Sequence, residues 1–376
     1  MYISGFMKIQ TIDWILYLVT VLLVIFGIVT IFSITYGQPT TKNFAQHQII
    51  FAFFGFSFLI LLTILDYRTL KTVAFPLYGV LLVLLLFLIF TPFGKAYLGA
   101  KRWIDLGFFQ FQPSEFFKLA SIIVLAKICD QKELSLKHFL LSIGLFLPPM
   151  FLIIKQPDFG TALILFLTGS VIILIAGFNK RYLIILGGLI LIFVSIFLLS
   201  TFSISPFTHI LKDYQKQRIY TFLNPQKDPF GAGYNVAQSM IAIGSGGLFG
   251  RGLGYGPQSQ LNFIPAKQTD FIFSVTAEAF GFVGASILLG LFFVLFLRIL
   301  KIAKSARDNF GTLLCYGMLS LFIFSVLINI GMTLGLLPAT GIPLPLISYG
   351  GSSLLTSLAA IGICQSIMVR HKKITF

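Results

Sequence analysis

The stretch Trp14–Ile34 reads WILYLVTVLLVIFGIVTIFSI and contains no Asp, Glu, Lys or Arg. A helix crosses the hydrocarbon layer of a bilayer in about 20 apolar residues. The apolar core of a secretory signal is shorter, about 7–15 residues. The stretch is therefore read as a first transmembrane span. Nine runs of the same kind follow, at about 48–65, 73–92, 113–128, 139–154, 158–178, 182–201, 270–297, 311–336 and 348–369. Ten spans would use roughly 200 apolar residues, close to what a 376-residue chain that is 57% hydrophobic holds. Only 10% of the residues are charged, against about 25% in a soluble domain. This composition excludes an ordinary soluble enzyme, a disordered chain and a disulfide scaffold. An outer-membrane barrel is excluded because its strands alternate residue by residue. The expected fold is all-α: a polytopic integral membrane protein of about ten helices, a single domain over residues 1–376.

The net charge is +15, from 27 Lys and Arg against 12 Asp and Glu. The bases lie mostly between the apolar runs, so loop topology accounts for them and no nucleic-acid partner is expected. With a cytoplasmic N-terminus, fifteen bases fall in short cytoplasmic segments and 12 outside, six of these in the long 202–269 connector, where the positive-inside rule has little force. Both termini are thus expected in the cytoplasm. The three long connectors, Thr35–His47, Phe93–Gln112 and Phe202–Thr269 between helices 7 and 8, would face outward, where function is expected. Cys129, Cys315 and Cys364 show no metal or disulfide spacing and read as small buried hydrophobes.

Ionisable residues at the outer ends of the runs are the candidates for chemistry. Lys101-Arg102-Trp103 pairs two bases with an interfacial aromatic, suited to headgroup anchoring or to phosphate. Pro113 suits a first helical position. Glu115 and Lys118 share a helix face three residues apart, either as an interfacial bridge or as a pair ordering a site. Asp158 follows Pro157 in a four-residue re-entry and fits a helix-start charge or a site. Residues 231–256 carry nine glycines but no Gly-Lys-Ser/Thr ending, so they read as close backbone packing in a re-entrant element and not as a nucleotide loop. Asp270 sits where a polar loop enters a helix, with Thr269 placed to cap it. Glu278 would lie roughly 12 Å deeper, the only acid in the interior of a span rather than at its end, and is a candidate for function or for a structural pair. Pro338, Pro343 and Pro345, with Gly350-Gly351-Ser352-Ser353, break the last outer segment, which marks a cavity edge.

The stretches KRWIDLG…QPSEFFKLA, KQPDFGTA, RIYTFLNPQKDPFGAGYNVAQSMIAIGSGGLFGRG, TDFIFSVTAE and GLLPATGIPLPLISYGGSS run from about residue 94 to 357. With ten spans, they resemble the shape, elongation, division and sporulation family of peptidoglycan glycosyltransferases. KQPDFGTA, DPFGAGYNVAQS and GLLPATGIPLP lean toward its elongation-specific branch rather than the division-specific one. Two departures stand out. Ala279 follows Glu278 where the family usually has a second acid, and Lys267-Gln268 precede the Thr-Asp pair where a histidine is usual.

The resemblance implies an enzyme of the bacterial inner membrane, facing the wall side, that polymerises lipid II onto a growing lipid-linked glycan. It implies membrane lipids and a class B penicillin-binding protein transpeptidase as partners. An acceptor hydroxyl needs a base as it attacks the anomeric carbon, and a diphosphate leaving group needs cations more than an acid. On that footing Asp270 is the expected base, with inversion at the anomeric carbon. Lys101, Arg102 and Lys118 would serve the diphosphate or the site's electrostatics, with Glu115 holding Lys118. Trp103, Asp158 and Glu278 complete the expected site. No cofactor is certain. A divalent cation, Mg or Mn, could assist the leaving group, though the sequence shows no ligand cluster. A flippase or transporter of lipid-linked precursor and a non-catalytic scaffold are the competing classes.

Overall fold

A computed structural model describes residues 12–35, 43–90, 95–97, 100–107, 109–201, 213–224, 228 and 231–371. Side chains are not described for 95–101 or for parts of the helices at 180–201 and 213–223. Each of the ten apolar runs is one helix. They are α1 (Trp14–Thr35), α2 (Asn43–Ile64), α3 (Leu70–Phe90), α4 (Pro113–Cys129), α5 (Leu136–Lys155), α6 (Phe159–Ile175), α7 (Lys180–Thr201), α11 (Ile272–Ser305), α12 (Asn309–Thr333) and α13 (Gly351–Val369). The long outer connector adds α8 (Asp213–Leu223), α9 (Ala232–Ser245) and the short α10 (Pro257–Gln260). Among the described residues, seven helices are long and apolar enough to cross a bilayer by themselves.

Helix α4 is not among those seven, and its surroundings explain why. It packs against α3, α5, α6, α12 and α13, and almost all of its residues are buried. A helix that meets little lipid can carry Glu115, Lys118 and Lys127. The peripheral helices instead turn apolar side chains outward, as Trp14, Leu18, Ile25 and Phe32 do on α1.

Several boundaries differ from the sequence reading. Helix α2 begins at Asn43, not near 48, because Gln48 is buried and bonded to the last outer segment through Ser348 O at 3.2 Å and Gly350 N at 3.3 Å. Helix α11 runs on to Ser305 instead of ending near 297. At roughly 1.5 Å per residue it outreaches a hydrocarbon layer of about 30 Å, so its end carries Arg298, Lys301 and Lys304 clear of the lipid. The 93–112 connector is not plain loop. Strands β1 (Lys95–Tyr97), β2 (Ala100–Asp105) and β3 (Gln110–Phe111) form an antiparallel sheet in that order.

On the face marked by the basic turns, acids and bases pair between helices. Asp13, fully buried, takes Arg298 in a two-pronged bond with Nε at 2.9 and 3.0 Å. Its main chain is held by Gln365 of α13, so the start of α1 and the last turns of α13 lie on one side. Lys71–Asp130, Arg68–Asp308 and Arg370–Asp66 pair on the same face.

Toward the other face α11 is broken at Gly281, whose φ of 68° and ψ of −164° are not helical. The glycine-rich turn after α9 fills the break with backbone bonds. Arg251 N and Gly252 N donate to Glu278 O and Ala279 O at 2.9 and 3.1 Å, while Phe282 N and Val283 N donate to Gly247 O and Leu248 O at 2.8 and 3.1 Å. In an apolar surrounding each unpaired peptide group costs several kcal/mol, so this exchange is what makes the break tolerable. The approach leaves no room for side chains: a β-carbon on Gly250, at φ +84°, would lie 2.2 Å from Ala279 O. Gly250→Ala is expected to detach this turn while the bundle stays folded. Hydrogen exchange should then quicken at amides 247–252 and 282–283 but not in α12 or α13. Unchanged exchange there would contradict the docking.

Candidate active site

Asp270 occupies a tight turn two residues before α11. The N–H groups of Thr269, Asp270 and Phe271 all point at Ala266 O, at 3.1, 3.1 and 3.4 Å. Neither Asp270 nor Thr269 caps α11. Phe271 is the cap residue, with no side-chain bond, and the Thr269 hydroxyl turns back to Ala266 O at 3.3 Å.

The three carbonyls of this turn are gripped from one direction. Gln268 O accepts from Tyr349 N at 2.9 Å. Thr269 O accepts from the Ser348 hydroxyl at 2.6 Å. Asp270 O accepts from Asn329 Nδ2 at 2.8 Å. The donors belong to α12 and to the proline-broken segment 334–350. Ser348 is itself fixed, since its hydroxyl accepts from Leu344 N at 2.8 Å. The same segment closes over the carboxylate: a β-carbon on Gly341 would lie 3.2 Å from Asp270 Oδ2.

Three charges act on Asp270: Arg102, Arg218 and Asp158. Burial pushes the Asp270 pKa up to about 6, and Asp158 adds to the rise. A hydrogen bond from Thr269 and the two guanidinium groups pull the other way without cancelling it. Arg102 projects from β2 to Gln156 O at 2.9 Å, to Pro157 O and toward Asp158 Oδ1 at 3.9 Å. Asp158 caps α6 through Thr161 N at 3.2 Å and accepts from Gln112 Nε2 at 3.3 Å. Arg218 comes from α8 and donates to Thr340 O at 3.1 Å. It borders a cavity of about 250 Å³ whose other walls are apolar, including Phe159, Leu163, Leu167, Ile328 and Leu337.

The residues singled out in the sequence divide into three groups. Asp270, Arg102 and Asp158 meet in one site. Glu115 and Lys118 form a buried pair at 2.8 Å, with the Thr356 hydroxyl 3.5 Å from Glu115 Oε2; they lie one turn into α4 and are not among the charges acting on Asp270. Glu278 has a different task. Its oxygens accept from Gln258 N at 2.8 Å and Ser259 N at 3.0 Å, so it caps α10 and pins the outer connector to α11. Beside it, buried Lys267 donates to Ser259 O and to Asn262 Oδ1 at 2.7 Å, and burial lowers its pKa to about 8. Trp103 is half-buried on β2, opposite Lys95. Lys101 lies on β2 with its side chain outside the described part. Arg218 and Asn329 were not singled out. Arg218 opens the RIYTFLNPQKDPFGAGYNVAQS motif, and Asn329 is an amide inside an apolar run; those were the available signals.

The residues present do not make a built metal site. Among the described residues no three His, Cys, Asp or Glu side chains group together. The second carboxylate of the site, Asp158, is already occupied by Thr161, Gln112 and Arg102.

The family model described as "Cell cycle protein", FtsW/RodA/SpoVE, matches residues 13–373. The chain is 40% identical over 300 residues to the Escherichia coli protein "Peptidoglycan glycosyltransferase MrdB", covering 79% of each chain. It is 38% identical to the Geobacter sulfurreducens "Probable peptidoglycan glycosyltransferase FtsW", covering 97% of each. Among solved structures it is similar to a chain from work on "a peptidoglycan synthase complex" that coordinates polymerization and crosslinking. That match has a TM-score of 0.78 at 31% identity, over 96% of this chain and 98% of the other.

A raised carboxyl pKa has a consequence for stability. Native Asp270 holds its proton more tightly than the unfolded chain does. The contribution of this one group to stability is therefore fully present below about pH 4 and is lost as pH rises through about 6, by at most about 3 kcal/mol. Asp270→Asn removes this loss. Its melting temperature in detergent should exceed wild type at pH 8 and converge with it at pH 4. A lower melting temperature at pH 8 would contradict the raised pKa of this half-buried carboxyl.

Proposed function

The chain belongs to the FtsW/RodA/SpoVE family, and from that premise we propose that it is a peptidoglycan glycosyltransferase. It polymerises lipid II into glycan strands at the wall side of the bacterial cytoplasmic membrane, and the motif leanings favour the elongation role. The observation that carries this reading is a carboxylate with a raised pKa, Asp270, under the positive fields of Arg102 and Arg218, the second of which also lines an apolar cavity. A base works best when its pKa approaches the operating pH while it stays mostly ionised. Asp270 meets both conditions at neutral pH.

In the proposed reaction Asp270 takes the proton of the acceptor sugar hydroxyl as its oxygen attacks the anomeric carbon of the donor. The bond from that carbon to the diphosphate oxygen breaks, and the diphosphate leaves with the electron pair. One displacement gives inversion. Arg218 meets the developing negative charge at the cavity mouth, and the cavity takes the start of the polyprenyl chain. Arg102 is more firmly tied, to two main-chain carbonyls and Asp158; it orders the outer hairpin and adds positive potential. Two fixed guanidinium groups in a partly dry site stabilise leaving-group charge with little reorganisation. Glu115 and Lys118, paired beneath the site, support the start of α4. A divalent cation, Mg or Mn, would come with the substrate's diphosphate, since Asp158 is already committed; no step is assigned to it. The strands would pass to a class B penicillin-binding protein for cross-linking.

Purified wild type given lipid II should form polymer, and Asp270→Asn, equally well folded, should form none. Polymer from that variant would overturn the assignment and return a transporter or scaffold role to the front. Polymerisation by wild type should also fall on the acid side with a midpoint near pH 6, as Asp270 takes up its proton. A rate that holds level down to pH 4 would exclude Asp270 as the base.

A further inference from the structure

Asn329 lies on α12 with no exposed surface. Its two amide hydrogens go to two different outer segments: Nδ2 donates to Asp270 O at 2.8 Å and to Ile342 O at 2.7 Å. Its Oδ1 is buried and has no hydrogen-bond partner among the described residues. A buried acceptor left unpaired costs roughly 1–3 kcal/mol. Turning the amide over gives no relief, because Oδ1 would then face two carbonyl oxygens. The residue thus keeps an unpaired oxygen in order to present its NH2 group in one direction.

The Asp270 carbonyl needs that donor. At the start of α11 it would ordinarily accept from Ser274 N, but Ser274 N bonds to Phe271 O at 3.1 Å instead. The helix that follows Asp270 therefore does not fix its peptide plane. Asn329, 59 residues away, does. The other carbonyl it holds belongs to Ile342, next to Gly341, which lies against the Asp270 carboxylate. It lies two residues beyond Thr340, whose carbonyl receives Arg218. One amide group therefore ties the main chain of Asp270 to the segment whose Thr340 carbonyl receives Arg218.

We infer that Asn329 is a positioning residue of the reaction: its NH2 group holds the main chain of Asp270 against the Gly341–Ile342 segment and so aims the carboxylate at the acceptor hydroxyl. This rests on Asp270 being the base. A base displaced by about 1 Å can lose on the order of 100-fold in rate. The groups that set the carboxylate's titration are Arg102 of β2, Arg218 of α8 and Asp158 ahead of α6. A released turn would shift the carboxylate relative to all three and let water in.

The test is steady-state polymerisation of lipid II by full-length Asn329→Leu and Asn329→Ser, beside wild type and Asp270→Asn, across pH 4–9. Asn329→Leu should lower kcat by roughly 100-fold with KM for lipid II within twofold. Its acid limb should move from near 6 toward the ordinary carboxylate range. Asn329→Ser keeps one donor and should fall between that variant and wild type. It decides the matter alone if the leucine variant does not fold. A folded variant of either kind with wild-type kcat and an unmoved acid limb would overturn the inference. So would a loss of kcat that merely follows the folded fraction at an unmoved limb. If Asp270→Asn polymerises, the base assignment falls first; if it is inert while both Asn329 variants match wild type, only the positioning role falls.

Discussion

Three successive carbonyls, those of Gln268, Thr269 and Asp270, are held by Tyr349 N, the Ser348 hydroxyl and Asn329 Nδ2. The proposed chemistry depends on this grip. The turn lies ahead of the first turn of α11; its N–H groups close on Ala266 O, but its own carbonyls receive no donor from the helix. By taking them up, the last outer segment becomes the wall of the site, and its own prolines and glycines become tolerable. Gln48 of α2 extends the grip through Ser348 O and Gly350 N. A helix from the opposite end of the sequence thereby stabilises the same turn.

A second constraint sits directly below. The bilayer penalises every unpaired peptide group, yet α11 is broken at Gly281. The glycine-rich turn fills the break with its own backbone, and Glu278 caps α10 from within the same helix. The outer connector is thus tied to α11 by a main-chain exchange and a carboxylate, while Asp270 at the head of that helix stays free of capping duty. Opposite charges pair on the other face, where Asp13 and Arg298 join the first helix to the end of α11. The long helix is fixed at both ends, which sets the height at which Asp270 stands.

Much of this was legible in the sequence, for reasons that also explain the rest. The ten spans were readable because an apolar run has nowhere else to go. Asp270, Arg102 and Asp158 stood out because charge is scarce and falls in the outer connectors and at the helix starts they lead into. Glu278 was legible as a residue of function or of a structural pair, but not its partners Gln258 N and Ser259 N, since spacing along a helix gives depth and not the partner across it. Asn329 and Arg218 were passed over because their partners lie 59 and 122 residues away, and nothing local in an apolar run or an amphipathic stretch announces such a bond. The three-stranded sheet β1–β2–β3 was hidden in a connector read only for its bases.

In the proposed reaction this framework holds the Asp270 carboxyl, under the charges of Arg102, Arg218 and Asp158, ready to act as a base at neutral pH. The most direct measurement is an infrared pH titration of the purified protein, taken as the difference between wild type and Asp270→Asn. The account predicts a single protonated-carboxyl band absent from the variant and titrating near pH 6. A difference band that titrates near pH 4, where an exposed carboxylate would, would contradict it.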